Sequence, residues 1–143
     1  MTTVRMAMEE DAAALIRLNV LFNGVWRDEQ SVKDSLQRSA ELVAVAVNGD
    51  AVVGFACAQY FHSFCYPEAH GEITELYVRE DARRNGYALG LIGCLEAELA
   101  KRGAGSVIIL TNASNEQAKQ AYLKAGYTIT NETVMTKSMK KKL

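Results

Sequence analysis

Residues 73–110 constrain the fold of this chain more than any other stretch. A β-rich run, Ile73-Thr74-Glu75-Leu76-Tyr77-Val78, passes through a charged loop into an amphipathic helix, and a short apolar strand follows at 107–110. The helix, read over 88–101, carries Leu91, Ile92, Leu95 and Leu99 on one face and stops at Gly103. Strand, helix and strand in that order demand a parallel pair joined by a right-handed crossover. Upstream, residues 42–47 and 51–61 are apolar β-rich runs separated by Asn48-Gly49-Asp50, the signature of an antiparallel hairpin. The sheet must therefore be mixed.

The remaining segments fall around this centre. Residues 2–8 read as a first strand. Glu9-Glu10-Asp11 then gives an acidic turn before a helix over 12–21. A second short helix is expected over 28–38, a loop over 64–71, a strand over 72–79 and a last helix over 115–124, stopped by Gly126. Residues 127–139 read as one or two closing strands. The single proline, Pro67, lies in the 64–71 loop.

The loop that opens the central helix suits an anion. It ends in Arg83-Arg84-Asn85-Gly86-Tyr87-Ala88. A helix start leaves backbone N–H groups without partners, and its dipole adds positive potential there. Gly86 and Ala88 carry no bulk to hold a phosphate away, and Arg83 and Arg84 add charged donors at the rim. The eight-residue phosphate loop ending in Gly-Lys-Ser/Thr is absent, and no Gly-x-Gly-x-x-Gly follows the first strand. An anion site in mid-chain disfavours a dinucleotide-binding domain.

Composition narrows the classes further. At 143 residues, with 49% of them apolar, the chain suits one globular domain with its own core. A net charge of −1 gives no reason to expect nucleic acid or an anionic membrane as partner. The basic end, from Lys137 to Lys142, reads as a solvated tail. No apolar run reaches the roughly 20 residues of a membrane span, and no signal-peptide pattern opens the chain. Cys57, Cys65 and Cys94 are widely spaced, without a C-x-x-C pair, so no disulfide framework or structural metal is expected. His62, Cys65 and His70, on one strand and its following loop, do not read as a metal site either. A reduced, cytoplasmic setting fits best.

Two blocks of residues resemble the GCN5-related N-acetyltransferase (GNAT) superfamily. The first is Arg83-Arg84-Asn85-Gly86-Tyr87-Ala88, preceded by Leu76-Tyr77-Val78; it is similar to the superfamily's Arg/Gln-x-x-Gly-x-Gly/Ala phosphate loop and its strand. The second runs from Asn115 through Ala118 and Tyr122 to Gly126-Tyr127. One helix and one strand separate them, as in the superfamily. The resemblance implies an α/β (α+β) acyl-CoA N-acyltransferase fold, one domain over 1–143, with a mixed sheet of about six to seven strands and about four helices.

It also implies transfer of an acetyl group from acetyl-CoA to a primary amine by direct attack, without a metal. The pyrophosphate would sit on Arg84, Asn85, Gly86, Tyr87, Ala88 and Leu89 with Arg83 in support. The pantetheine arm would pair with the backbone of Leu76, Tyr77 and Val78, which requires the strands at Tyr77 and Ile109 to splay. Asn115 and Ala118 would contact the cofactor. Tyr122 would protonate the departing thiolate. An ammonium acceptor must lose a proton before attack, so a base is needed. Glu75 and Glu72 are the candidates. Three apart on a regular strand they face opposite ways, unless a bulge intervenes. For the acceptor, Trp26, Asp28, Glu29, Tyr60 and Glu68 supply acidic and aromatic groups suited to a cation. An aminoglycoside, a polyamine or a peptide amine would fit. Pairing of relatives through C-terminal strands makes a homodimer an expectation. A non-catalytic acyl-CoA-binding domain is the alternative, against which Tyr122 and the two strand glutamates speak.

Overall fold

The structure, a computed structural model, describes residues 2–140, so Lys141 and Lys142 of the expected basic tail lie outside the described residues. Strands β1 (Thr2–Met6), β2 (Leu42–Asn48), β3 (Ala51–Phe61), β4 (Ala69–Val78) and β5 (Ala104–Ile109) lie side by side in chain order. The first four are antiparallel neighbours, and β5 runs parallel to β4. The helices are α1 (Ala12–Asn23), α2 (Glu29–Arg38), α3 (Tyr87–Lys101) and α4 (Glu116–Lys124).

α3 covers one face of the sheet. Leu91, Ile92, Leu95 and Leu99 are each at most 1% exposed. They pack with Ala44, Ala46, Ala56, Ala58 and Ile73, whose small size on β2 and β3 lets the helix lie close. Gly90 shows how close: a Cβ there would come within 3.0 Å of Val4 Cγ2 on β1. Each of the four large α3 side chains contributes roughly 1.5–3 kcal/mol by leaving water. The crossover is thereby fixed.

α1 packs on the other face, where Leu15 and Leu18 meet Val45, Phe55 and Cys57. Its start is tied to β1 by a charge pair. Arg5 donates from Nη1 (2.7 Å) and Nη2 (3.0 Å) to the two carboxylate oxygens of Asp11, which also accepts from the Met8 N–H at 2.7 Å. α2 begins on Asp28, whose carboxylate accepts from the Ser31 N–H at 3.0 Å and the Ser31 hydroxyl at 2.7 Å.

Two expectations need correction. The β4 and β5 strands start earlier than the sequence suggests, at Ala69 and Ala104, because their parallel ladder begins there. The closing strands over 127–139 do not form, which leaves five strands among the described residues rather than six or seven. Strand-favouring residues need a ladder partner, and this segment makes none with β5. Ile129, Val134, Met135 and Met139 are consequently exposed. Tyr127 alone is anchored, its hydroxyl donating to Glu96 on α3 at 2.8 Å.

Candidate active site

The β4–β5 ladder ends halfway along β4. Its last pair is Ile73 with Ile109; beyond it, residues 75–78 pair only with β3. The strands part at that point and leave one backbone edge of β4 open. α4 and the start of α3 flank the gap, forming a cleft of about 800 Å³ lined by Leu76, Tyr77, Val78, Asn115, Ala118 and Tyr122 among others. An extended ligand can add itself to such an edge as one more strand.

The start of α3 closes one end of this cleft. Gly86 caps the helix at φ +78°, a conformation that favours glycine. Helical bonding begins with the Gly90 N–H donating to Gly86 O at 3.1 Å, so the N–H groups of Tyr87, Ala88 and Leu89 precede it. A Cβ on Gly86 would meet nothing within 4 Å, so the space before these donors is open. The loop is held rigid from behind. Arg83 Nε donates to Val78 O at 2.9 Å while its guanidinium lies over the Tyr77 ring. Asn85 Nδ2 donates to Ala82 O at 2.9 Å and to Arg83 O at 3.2 Å. Arg83 and Asn85 therefore shape the turn, and the exposed Arg84, at φ +67°, is the better placed charge for an anion. Open donors and an open strand edge in one cleft fit a pyrophosphate carrier with a long amide arm.

A β-bulge sets where the two base candidates lie. Cys57 pairs with Glu75 and Ala58 with Ile73, so Thr74 is an extra residue in β4. Its hydroxyl donates to Cys57 O at 3.3 Å. The bulge restores parity: Glu75 stands opposite Cys57 and Glu72 opposite Gln59, so both glutamates share the α1 face. Only Glu75 lines the cleft, at the point where the strands part. Across the same cleft Tyr122 is half-buried, and burial pushes its phenol pKa above the ordinary value.

A second cavity, of about 380 Å³, opens on the α1 face beneath α1 and α2. Asn19, Asn23, Arg27, Glu41, Gln59 and Glu75 give it its polar walls, and Glu75 and Thr74 belong to both cavities. Glu41 is a residue that sequence reasoning missed. It is half-buried; dehydration, then the nearby Glu75 charge, raise its pKa, against a hydrogen bond from the Cys57 thiol. Burial above all raises the Cys57 pKa as well, so the sulfur stays a neutral S–H. The signal was in β2: Glu41 has the same parity as Val43 and Val45, which face α1.

The five residues expected to hold an acceptor are not gathered here. Trp26, Asp28 and Glu29 sit beside Arg27 at the α1–α2 turn, but Asp28 is occupied as the α2 cap and Glu29 pairs with Lys33 at 3.5 Å. Tyr60 packs on the α3 face, under the Arg102 guanidinium. Glu68 lies against Gly105, where β5 begins. Asn115 is placed in the cleft as expected, yet its Oδ1 caps α4 by accepting from the Ala118 N–H at 3.1 Å. Among the described residues, no three His, Cys, Asp or Glu side chains converge as metal ligands.

Residues 11–127 match the model of the acetyltransferase (GNAT) family. The chain belongs to the GNAT family. As an acetyltransferase of this family it is 31% identical over 112 residues to acetyltransferase YE1169 of Yersinia enterocolitica, covering 77% of this chain and 74% of the relative. Its fold is similar to that of the aminoglycoside acetyltransferase meta-AAC0020 from an uncultured soil metagenomic sample, with a TM-score of 0.85, 19% identity and coverage of 98% and 97%. The aminoglycoside N-acetyltransferase AAC(6')-Iy, solved in complex with CoA, superposes with a TM-score of 0.84 at 15% identity, covering 97% of this chain and 95% of that one. At these identities the two structures speak for the fold alone.

Proposed function

We propose that residues 1–143 act as one N-acetyltransferase domain that moves an acetyl group from acetyl-CoA to a primary amine by direct attack. The observation that carries this reading is the parting of β4 and β5 after Ile73 and Ile109, with the open start of α3 at the end of the gap. Acetyl-CoA supplies a thioester-activated acetyl group. The chain's part is to hold and orient it: N–H groups of Tyr87, Ala88 and Leu89 with Arg84 take the pyrophosphate, and the backbone of Leu76, Tyr77 and Val78 takes the arm. Asn115 and Ala118 line the arm's path.

Glu75 accepts a proton from the incoming amine, and Glu72, on the same face but outside both cavities, is the reserve. Tyr122, like any phenol with a pKa of about 10 or above, is neutral at pH 7, and burial raises its pKa further; it donates to the leaving sulfur. No metal takes part. The acceptor is a cationic small molecule of the aminoglycoside or polyamine type, or a peptide amine. The fold likeness to aminoglycoside acetyltransferases supports the first of these. Three free thiols suit a cytoplasmic setting. The exposed apolar side chains Ile129, Val134 and Met135 favour a homodimer.

The test is direct. Thiol release from acetyl-CoA should appear with at least one amine in a panel of aminoglycosides, polyamines and lysine peptides. Gly86→Glu should abolish acetyl-CoA binding by calorimetry, since it sets a carboxylate before the helix start and strains the cap. Undiminished affinity in that variant would remove the loop from the reading.

A further inference from the structure

We propose that Glu41 is a second working carboxylate of this enzyme, forming with Glu75 a two-oxygen-acid seat for the ammonium group of the acceptor. The inference rests on the reading of Glu75 as the base and adds to it the residue just before β2. Three observations carry it. Glu41 and Glu75 both line the 380 Å³ cavity, and Glu75 also lines the acyl cleft, so the pair sits where the two spaces meet. Cys57 lines the same cavity, and its thiol, kept protonated by burial, is the hydrogen-bonding neighbour of Glu41 there. The rest of the polar wall is neutral amide and hydroxyl, from Asn19, Asn23, Ser35 and Gln59, apart from Arg27 at the α1–α2 turn.

The charged and titratable groups around Glu41 are therefore Glu75 on β4, Cys57 on β3 and Arg27 at the α1–α2 turn. Two carboxylates placed so close repel one another, and an ammonium ion relieves that repulsion better than water does. On binding, one N–H bond of the R–NH3+ group breaks, its proton passes to the pair, and the nitrogen keeps the electron pair for attack. The pair then holds one shared proton, which leaves to solvent through the mouth of the cavity. Charge balances throughout: two carboxylates and an ammonium become one carboxylate, one carboxylic acid and a neutral amine. Such a seat explains why Glu41, half-buried, is in no ion pair among the described residues.

The experiment uses the whole chain and ethylammonium chloride as probe. Carboxyl carbons of Glu41 and Glu75 are followed by NMR titration in wild type, Glu41→Gln and Glu75→Gln, with and without probe, and ethanol as the neutral control. Ethylammonium, and not ethanol, should lower the titration midpoints of both groups in wild type. In Glu75→Gln the Glu41 midpoint should fall even without probe. With an amine that the thiol-release screen shows to be accepted, Glu41→Gln should raise KM about tenfold, as loss of one charged contact does, and move the acid limb of the pH profile. Acetyl-CoA affinity should not move in that variant. Identical ethylammonium response in wild type and Glu41→Gln would overturn the pair, even if acetyl-CoA binding held. Loss of acetyl-CoA binding sites with an intact ethylammonium response would instead break the wider reading and leave the seat standing.

Discussion

Asp11 and Glu41 are two carboxylates taken partly out of water, and the molecule treats them in opposite ways. Asp11 is 6% exposed, yet Arg5 meets it with two hydrogen bonds and the Met8 N–H with a third. Dehydration pulls its pKa up, but the Arg5 hydrogen bonds, the Met8 N–H and the Arg5 charge outweigh that and leave it below the ordinary value. Glu41 is less buried, and among the described residues no ion pair holds it. Dehydration and the Glu75 charge both raise its pKa, and the Cys57 thiol offsets them only in part. A matched carboxylate fastens β1 to α1. A mismatched one weakens the fold and keeps an unspent capacity for protons, which is the usual mark of a working group.

The contrast can be broken in several ways. The largest effect is expected at Glu75, the partner that makes Glu41 mismatched: Glu75→Gln should lower kcat by about 10²–10⁴, the range of general-base catalysis, with thermal stability retained. An unchanged kcat would move the base elsewhere. Next is Asp11→Ala, which strands Arg5 and an N–H; chemical denaturation should show a loss of roughly 2–3 kcal/mol, with activity per folded molecule intact. Third, the two groups should bend the pH–stability curve in opposite directions. The folded pKa of Asp11 is depressed, so its contribution is present above 3.8 and is lost as pH falls through the folded value. The folded pKa of Glu41 is raised, so its cost is absent below 4.5 and grows as pH rises through the folded value. Glu41→Gln should therefore melt higher than wild type at pH 8, with the gap closing in acid. Smallest is the exposed Glu29–Lys33 pair: Glu29→Ala should change stability by no more than about 0.5 kcal/mol, which sets the scale for a carboxylate that is neither buried nor matched in depth.

Much of this was legible in the residues. The hairpin around Asn48-Gly49, the crossover helix with its leucine face, and the loop ending at Gly86 all rest on local chemistry, and local chemistry is written in order along the chain. Glu41 was not legible in the same way, because its partners come from β3 and β4 and are set by ladder register. The expected acceptor residues lie apart in the fold for a related reason. Tyr60 has the right chemistry but the parity of Ala58, which turns it to the α3 face, and Asp28 has the right charge but is consumed as a helix cap. The 127–139 segment is a different case, since strand preference says nothing about whether a neighbour exists.

Thr74 carries a consequence that substitutions cannot reveal. Because one unpaired residue shifts the phase of β4, its two halves obey opposite odd–even rules: Leu76 and Val78 turn to the α3 face above it, whereas Ile73 does so below. Removing that one threonine would make Ile73 and Glu75 neighbours on a regular strand, each still opposite its present partner, Ala58 and Cys57; the bulge would be lost and no side chain would change face. A Thr74 deletion should therefore spare the core and fall on the cleft, because it straightens β4 at the point where Glu75 lines the gap.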